Sequence, residues 1–163
     1  MSIKFKSITK NNLFAALEIY NWYVVNSTAT FHLKVIEEEE LERMVSLGHS
    51  KYKSFVVLLN DEICGFCYIG QFRKKEAYDI TAEVTLYLKQ GFTGKGIGKT
   101  VLTFIKDVAK KNGIKNLIAV ITEGNNASLK LFEKEGYFKV GHLKNAGEKF
   151  GKSLDVVSYQ KEI

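Results

Sequence analysis

The stretch GFTGKGIGKT (91–100) constrains the fold of this chain more than any other, because four of its ten residues are glycine. It follows TAEVTLYL (81–88), whose alternation of apolar and polar residues predicts a half-buried strand. It opens into IGKTVLTFIKDVAKKNG (97–113), where apolar residues recur at helical spacing up to Gly113. A glycine-rich turn between a strand and a helix N-terminus presents backbone N–H groups to an anion. The sequence therefore predicts a phosphate-binding loop.

Two common phosphate-binding patterns match this loop only in part. The nucleotide P-loop, G-x-x-x-x-G-K-(S/T), matches residues 98–100 at its end but requires glycine where the chain has Thr93. The dinucleotide pattern, G-x-G-x-x-G, matches Gly94 and Gly96 but requires a third glycine where the chain has Lys99. A chain of 163 residues also leaves no room for a substrate domain beside a dinucleotide-binding unit. Both patterns are therefore disfavoured.

A third pattern fits without a substitution: G-x-G-x-G opening directly into a helix, after a strand that carries an acidic residue. Its glycines lack the Cβ atoms that would obstruct a close approach of the backbone to a ligand. The amides of residues 94–99 would surround a pyrophosphate, and Lys95 and Lys99 would add positive charge. The alternative is a glycine-rich turn with a purely structural role, but such a turn seldom needs three glycines at alternate positions.

The other patterns predict one α/β domain over residues 1–163, with a central mixed, mostly antiparallel sheet flanked by helices on both faces. Thr9 is a candidate N-cap for the first helix. Two apolar runs joined by residues 60–62 predict a hairpin, and the last two strands are expected to join through NAGEKFG (145–151). The predicted strands are 3–8, 54–59, 63–70, 81–88, 116–122, 137–143 and 153–160, and the helices are 11–25, 37–48, 97–113 and 125–136.

The composition excludes several classes of protein. Lys and Arg number 24 against 18 Asp and Glu, but the basic residues are scattered, which argues against nucleic-acid binding. No apolar run approaches the ~18 residues of a membrane span, and no signal peptide is evident, so a cytoplasmic protein is expected. Cys64 and Cys67 lie in a run that predicts a buried strand, so we expect them in the core on opposite faces. Two cysteines alone cannot form a zinc site, and no metal is expected.

The loop and a later motif resemble the GNAT acyltransferase superfamily. Its signature, (Q/R)-x-x-G-x-(G/A), matches residues 93–98, except that Thr93 replaces the Gln or Arg that helps to hold phosphate. NNAS (125–128) stands where the family places N-x-x-(A/S), and LFEKEGY (131–137) resembles the usual continuation. The resemblance implies a GNAT-type fold and acetyl-CoA as the co-substrate.

The resemblance also implies which residues hold coenzyme A. The backbone of Leu86, Tyr87 and Leu88 would pair with the pantetheine amides as an added strand does. Asn125 and Ser128 would contact the pantetheine arm or the adenosine end. The pyrophosphate would lie against the loop and the start of the helix, at Thr93, Gly94, Lys95, Gly96, Ile97, Gly98, Lys99 and Thr100.

Within the superfamily, the chain is most similar to the phosphinothricin and methionine-sulfone N-acetyltransferases. The stretches that carry this likeness are 19–31, 73–88 and 145–160. The resemblance implies a small amino-acid-like amine as the acceptor, such as methionine sulfone, methionine sulfoximine or phosphinothricin. It assigns Arg73 and Lys75 to an acidic group of the substrate, and Phe31 and Tyr78 to the lining of the amino-acid pocket. It also implies a homodimer.

Glu83 is the candidate general base. An alkylammonium ion must lose a proton before its nitrogen can attack a thioester, so Glu83 would contact the substrate amine. The alternation of β residues places Glu83, Thr85 and Tyr87 on one face of the strand before the loop. Burial beside coenzyme A would raise the pKa of Glu83 toward the useful range. We expect direct attack without an acyl-enzyme, with a backbone N–H near Leu88 stabilising the oxyanion.

Two departures from the family bear on the chemistry. Phe132 stands where many members carry the Tyr that protonates the departing thiolate, so Tyr87 is the alternative acid. Leu154, before Asp155, stands where herbicide-detoxifying members commonly carry a His that assists catalysis or contacts the substrate.

Three other functions remain open. The acceptor could be a protein or peptide N-terminus or a polyamine, although Arg73 and Lys75 argue against a polycation. The chain could also be a catalytically silent CoA-binding module, or a nucleotide-binding module. His32, His49 and His142 have no recognisable partners and are expected at the surface or in packing.

Overall fold

The structure, a computed structural model, describes residues 2–163 as seven strands and four α-helices. The strands are β1 (Ile3–Ser7), β2 (Ser54–Leu59), β3 (Glu62–Gln71), β4 (Thr81–Leu88), β5 (Asn116–Thr122), β6 (Phe138–Lys149) and β7 (Lys152–Glu162). The helices are α1 (Leu13–Asn26), α2 (Glu38–Met44), α3 (Ile97–Lys111) and α4 (Asn126–Lys134), with a 3-10 turn at Glu76–Tyr78. None of these helices is long and apolar enough to span a membrane.

The strands form one sheet in the order β1-β2-β3-β4-β5-β7-β6. The β4–β5 pair is parallel and every other pair is antiparallel. One apolar core, with Val101, Ile105 and Phe132, lies between the sheet and helices α3 and α4. A second core, with Leu13 and Leu41, lies on the opposite face beneath α1 and α2. The predicted α/β fold, with a mostly antiparallel sheet between two layers of helices, is confirmed.

The first two helices differ from their predicted limits. Asn12, not Thr9, is the N-cap of α1. The Asn12 side chain accepts a 2.8 Å hydrogen bond from the N–H of Thr9 and donates to the carbonyl oxygen of Ser7, which holds the preceding turn outside the helix. Helix α2 ends at Met44, before the predicted Gly48, because the chain turns at Ser46 with a φ of 50°.

The two hairpin turns are tighter than predicted. Asn60 and Asp61 alone connect β2 to β3, with φ angles of 49° and 69°, as a type I′ turn requires. The second hairpin turns at Phe150 and Gly151, with φ angles of 55° and 70°. The predicted loop at 145–151 is therefore wrong, because its first five residues belong to β6, and Gly147, Glu148 and Lys149 pair with β7.

The two cysteines are buried, as expected, but in the same core and not on opposite faces. A β-bulge explains the difference. Leu58 of β2 is opposite Ile63 and Val57 is opposite Gly65, which leaves Cys64 without a partner. The extra residue shifts the alternation of β3 by one position, and a periodic pattern in the sequence does not reveal such a shift.

Candidate active site

The parallel strands β4 and β5 pair only from Thr81, opposite Asn116, to Glu83, opposite Ile118. Beyond Glu83 they separate, and a cleft of about 830 Å³ opens between them. Its walls also include the glycine loop, the start of α4 and residues 29–31. The predicted site residues that line the cleft are Phe31, Glu83, Leu86, Tyr87, Leu88, Thr93, Gly94, Gly96, Gly98, Lys99, Asn125 and Ser128.

The free edge of β4 presents backbone groups to this cleft. The N–H of Lys89 donates a 2.8 Å hydrogen bond to the carbonyl oxygen of Cys64 on β3. Alternate residues of a strand hydrogen-bond toward opposite edges, so odd-numbered residues here bond toward β3 and even-numbered ones face the cleft. Leu86 and Leu88 therefore offer their backbone to an extended ligand, whereas the backbone of Tyr87 pairs with β3.

The glycine loop presents a row of free N–H groups. Gly94 and Gly96 have φ angles of 74° and 77°, and a Cβ at either position would meet nothing, so conformation and not space requires glycine there. At Gly98 a Cβ would lie 2.7 Å from Cδ2 of Leu131, so this glycine allows α3 to approach α4. Within residues 2–163, no protein acceptor takes the N–H groups of residues 94–99.

Positive charge surrounds the loop. Thr93 and Lys99 line the cleft, whereas Lys95 is exposed and its ammonium lies 5.4 Å from the centre of the Phe92 ring. Ile97 is buried in the core, so only its backbone can face a ligand. The first turn of α3 contains no acidic residue, and lysines beside a helix N-terminus are unfavourable unless an anion lies there. The loop therefore has the backbone groups and the charge that an anion requires.

Asn125 has a structural role besides its place at the cleft. It is the N-cap of α4, and its Oδ1 accepts a 3.3 Å hydrogen bond from the N–H of Ser128. Both residues line the cleft. The Nδ2 group of Asn125 and the hydroxyl of Ser128 form no hydrogen bond within residues 2–163, so they can meet a ligand.

Glu83 lies where β4 leaves β5. Its side chain is half-buried, lines the cleft and shares a face of β4 with Thr85 and Tyr87, as the alternation predicts. Burial raises the pKa of the Glu83 carboxyl above that of an exposed glutamate. Within residues 2–163 no lysine, arginine or histidine forms an ion pair with it. A carboxylate in such surroundings gains a proton more readily than one in water.

The acetyltransferase (GNAT) domain family matches residues 5–157 of this sequence. The chain belongs to the GNAT family. Among curated relatives, the phosphinothricin N-acetyltransferase of Streptomyces viridochromogenes is 29% identical over 99% of this chain and 88% of its own length. The L-methionine sulfoximine/L-methionine sulfone acetyltransferase of Salmonella typhimurium is 26% identical over 100% of this chain and 95% of its own length.

Solved structures of acetyltransferases share the fold over nearly the whole chain. A phosphinothricin acetyltransferase from Sinorhizobium meliloti, solved with acetyl-CoA, has a TM-score of 0.93 at 28% identity and covers 100% of this chain and 89% of its own. A ribosomal-protein-alanine N-acetyltransferase from Brucella melitensis has a TM-score of 0.91 at 29% identity. It covers 98% of this chain and 99% of its own. The protein is thus an acetyl-CoA-dependent N-acetyltransferase.

The cleft of this GNAT enzyme suits acetyl-CoA in its chemistry. An extended chain with amide groups can pair with the free edge of β4 at Leu86 and Leu88. A pyrophosphate can take the unshared N–H groups of the glycine loop beside Lys99. Thr100 lies in the first turn of α3 and is exposed, outside the cleft lining.

Four tyrosines form one wall of the GNAT cleft, and the sequence pattern singled out only Tyr87. Tyr20 and Tyr23 lie one helical turn apart on α1, and both rings contact Tyr87, with centroids 5.3 and 5.1 Å away. Burial raises the pKa of Tyr68 to about 12 and that of Tyr87 well above its usual value. The i, i+3 spacing of Tyr20 and Tyr23 in the sequence could have predicted that the two rings lie side by side on α1.

The segment Thr28–Phe31 is fixed against the cleft by three strands. The hydroxyl of Thr122 on β5 donates a 2.7 Å hydrogen bond to the carbonyl oxygen of Thr28. The hydroxyl of Tyr87 on β4 lies 3.5 Å from the carbonyl oxygen of Ala29. The ammonium of Lys149 on β6 donates a 2.8 Å hydrogen bond to the carbonyl oxygen of Thr30. Three successive carbonyl groups of one loop therefore have partners on three different strands.

Three predicted substrate residues lie elsewhere. Arg73, Lys75 and Tyr78 are exposed on the connection between β3 and β4 and do not line the cleft of this chain. The Arg73 guanidinium lies 4.9 Å from the centre of the Phe72 ring, which also contacts Tyr78 edge to face. The sequence similarity grouped them with the substrate site, but the backbone carries them to the surface in a single subunit.

The structure gives the histidines partners that the sequence did not suggest. His32 Nδ1 lies 2.5 Å from the hydroxyl of Tyr20, and His32 Nε2 lies 3.0 Å from Oε1 of Glu40. A hydrogen-bonded chain thus leads from the surface of α2 to a tyrosine in the cleft wall. His142 Nε2 lies 2.7 Å from Oδ2 of Asp155 in the β6–β7 hairpin.

Proposed function

We propose that this enzyme transfers the acetyl group of acetyl-CoA to the primary amine of a small amino acid or amino-acid analogue, with Glu83 as the general base. Methionine sulfone, methionine sulfoximine and phosphinothricin are the analogues to test first. The observation that carries the proposal is a half-buried Glu83 carboxyl, with a raised pKa, on the cleft edge where β4 leaves β5.

The reaction is a direct transfer. Glu83 accepts a proton from the substrate ammonium, and the amine nitrogen then forms a bond to the thioester carbonyl carbon. The tetrahedral adduct then collapses: the C–S bond breaks, the nitrogen releases its second proton to solvent to form the amide, and coenzyme A leaves as the thiolate. The cleft-facing N–H of Leu88 is the donor closest to the end of the free edge, where it would stabilise the oxyanion. Two buried cysteines with raised thiol pKa values do not suit an acyl-enzyme route.

Coenzyme A would occupy the long axis of the cleft. The backbone of Leu86 would pair with the pantetheine amides, the N–H of Leu88 would face the thioester at the end of the same edge, and residues 93–100 would hold the pyrophosphate. Asn125 and Ser128 would contact the pantetheine arm. Thr93 offers a hydroxyl but has less reach than the Gln or Arg of the family signature.

Tyr87 is the proposed acid for the thiolate. Phe132 is buried in the core and has no proton to give. The Tyr87 phenol is protonated at neutral pH, and burial raises its pKa further above the usual value. Its hydroxyl already lies within 3.5 Å of a carbonyl oxygen in the Thr28–Phe31 segment, at the edge of the cleft.

Phe31 is the proposed wall of the amine pocket. Its ring lines the cleft and is 38% exposed, so one face remains available to a substrate. Arg73, Lys75 and Tyr78 remain proposed contacts for the acidic group of the substrate. In a homodimer, the exposed β3–β4 connection could reach the cleft of the other subunit, which would reconcile this role with its position outside the cleft.

The test is thiol release from acetyl-CoA with a panel of amines: free amino acids, methionine sulfone, methionine sulfoximine, phosphinothricin and spermidine. Glu83→Gln would be compared with Glu39→Gln, which removes an exposed glutamate on α2. We expect turnover of at least one amino acid, a loss of roughly 10²–10⁴-fold in kcat/KM for Glu83→Gln, and no change for the control. Acetyl-CoA binding without turnover of any small amine would refute the proposal.

The same panel should include a second class of acceptor, a polypeptide N-terminus. The Brucella melitensis structure, at a TM-score of 0.91, bears the name of a ribosomal-protein-alanine N-acetyltransferase. A short peptide with N-terminal alanine would therefore be included. Turnover of the peptide with no turnover of free amino acids would move the acceptor to a polypeptide N-terminus.

A further inference from the structure

We propose that Gly147 and Lys149 on β6 are specificity-determining residues, because they fix the position of Thr30 and Phe31 and so set the size of the amine that the cleft admits. The proposal rests on the proposed function in one respect, that the acceptor amine lies against Phe31. Neither residue lines the cleft itself, so each acts through the Thr28–Phe31 segment.

Gly147 provides the space in which the Phe31 ring lies. A Cβ built at Gly147 would lie 2.6 Å from Cδ2 of Phe31, with Cε2 nearer still and Cζ at 3.2 Å. Carbon atoms that are not bonded do not approach to 2.6 Å, so any side chain at this position must displace the ring. Gly147 does not have a positive φ, so its conformation does not require glycine. The need for glycine at this position therefore comes from Phe31.

Lys149 fixes the residue before Phe31. It is 3% exposed, and burial lowers the pKa of its ammonium group. The ammonium donates to the carbonyl oxygen of Thr30 and lies 5.1 Å from the centre of the Phe150 ring. Within residues 2–163 no carboxylate forms an ion pair with it. Because a buried cation is costly, the bond to Thr30 is the contact that gives this lysine a role in the cleft wall.

The two contacts act on the same side of the amine pocket. Gly147 is opposite Leu154 of β7, and Val156, two residues further along β7, lines the cleft. A displacement of the Phe31 ring away from β6 moves it toward the open cleft and narrows the space for an acceptor. The narrower space should lower kcat/KM for amines with long side chains, whereas amines with short side chains do not need that space.

The experiment measures kcat/KM for a long and a short amine, methionine sulfone and alanine, and the ratio of the two. Gly147→Ala is expected to lower this ratio by about 10-fold or more, with the dissociation constant of acetyl-CoA unchanged. Gly141→Ala is the matched control, because a Cβ at that position of the same strand lies 3.9 Å from Cβ of Ser158, an ordinary contact. Its ratio should equal that of the wild type.

A double-mutant cycle decides whether Gly147 acts through Phe31. In the Phe31→Ala background, Gly147→Ala should leave the ratio unchanged, because the ring that it displaces is gone. An equal effect in both backgrounds would overturn the proposal. Lys149→Met provides an independent variant should Gly147→Ala fold poorly. It should lower the same ratio, and Lys149→Arg should restore part of it.

The position of the ring is also measurable without turnover. In protein labelled with 4-fluorophenylalanine, the resonance missing from Phe31→Leu identifies Phe31. We expect Gly147→Ala, but not Gly141→Ala, to shift that resonance. If the wild type acetylates no amine, the proposed function fails while the resonance still reports on the ring. An unmoved resonance, or a moved resonance with an unchanged ratio in an active enzyme, would overturn the specificity proposal.

Discussion

The hydroxyl of Tyr23 on α1 donates a 2.6 Å hydrogen bond to the carbonyl oxygen of Leu88, the last residue of β4. The two residues are 65 positions apart in the chain. The bond satisfies the carbonyl group of Leu88 at the open edge, which leaves the N–H of the same residue for a ligand. It also fixes the end of β4 to α1 where β5 no longer supports it.

Replacement of Tyr23 by Phe should loosen this end of β4. We expect a loss of about 1 kcal/mol in the free energy of unfolding, the usual net value of a hydrogen bond, because the ring is retained. The affinity for acetyl-CoA should fall several-fold, since Leu88 belongs to the strand edge that meets the pantetheine. Urea unfolding and isothermal titration calorimetry measure the two effects. Unchanged affinity would show that the Tyr23 bond serves stability alone.

The activity should rise with pH through the pKa of Glu83. The protonated carboxyl cannot accept a proton, and burial raises its pKa, so the midpoint of the kcat/KM profile should lie above that of an ordinary glutamate. Steady-state rates with the best amine across pH 4–9 provide the measurement. A profile that is flat down to pH 4 would exclude Glu83 as the base.

The raised pKa of Glu83 also affects the stability of the fold, which should fall with rising pH whereas the activity rises. A raised pKa in the folded state means that folding favours the protonated carboxyl, so this stability is present below the unfolded pKa and is lost as pH rises through the folded pKa. Glu83→Gln should therefore melt at a higher temperature than the wild type near pH 7 and at the same temperature near pH 4. Differential scanning calorimetry at both values tests this. A lower melting temperature at pH 7 would contradict it.

Substitutions should show that Gly96 is required for its backbone conformation and Gly98 for close packing. Gly96→Ala forces a left-handed φ of 77° on alanine, which should cost about 1–2 kcal/mol of stability and weaken acetyl-CoA binding. Gly98→Ala introduces a Cβ beside Leu131, so Leu131→Ala should relieve the loss of stability that Gly98→Ala causes. Leu131→Ala should not relieve the loss of stability caused by Gly96→Ala. Thermal unfolding of the three single variants and the two double variants with Leu131→Ala gives the comparison. Relief of Gly96→Ala by Leu131→Ala would refute this distinction.

The positive charge of Lys99 at the glycine loop should make acetyl-CoA binding depend on ionic strength. Lys99→Met should weaken acetyl-CoA binding by about 10-fold at low salt and reduce the dependence of the dissociation constant on ionic strength. Lys115→Met, an exposed lysine beyond the far end of α3, is the control. Titrations at several concentrations of sodium chloride measure both. An equal salt dependence in Lys99→Met and the wild type would show that Lys99 does not contact the anion.

Local patterns correctly predicted much of the secondary structure around the cleft. The bounds of β4 were predicted residue for residue, and the placement of Glu83, Thr85 and Tyr87 on one face followed from the period of two in a strand. The glycine loop and α3 were found because a positive φ favours glycine and an amphipathic helix has a fixed period. The features that were missed, such as the bulge at Cys64 and the tight turn at Phe150, depend on a neighbouring strand.

The sequence by itself determined the strand, loop and helix that can hold a pyrophosphate, because each of these depends on residues close together in the chain. Only the tertiary structure decided that β4 and β5 separate after Glu83, and that the Thr28–Phe31 segment closes one side of the cleft. The bonds that fix this segment join residues 94 and 119 positions apart, from Thr122 to Thr28 and from Lys149 to Thr30. Such contacts leave no period or motif in the sequence, since they are set by how the strands and helices pack together.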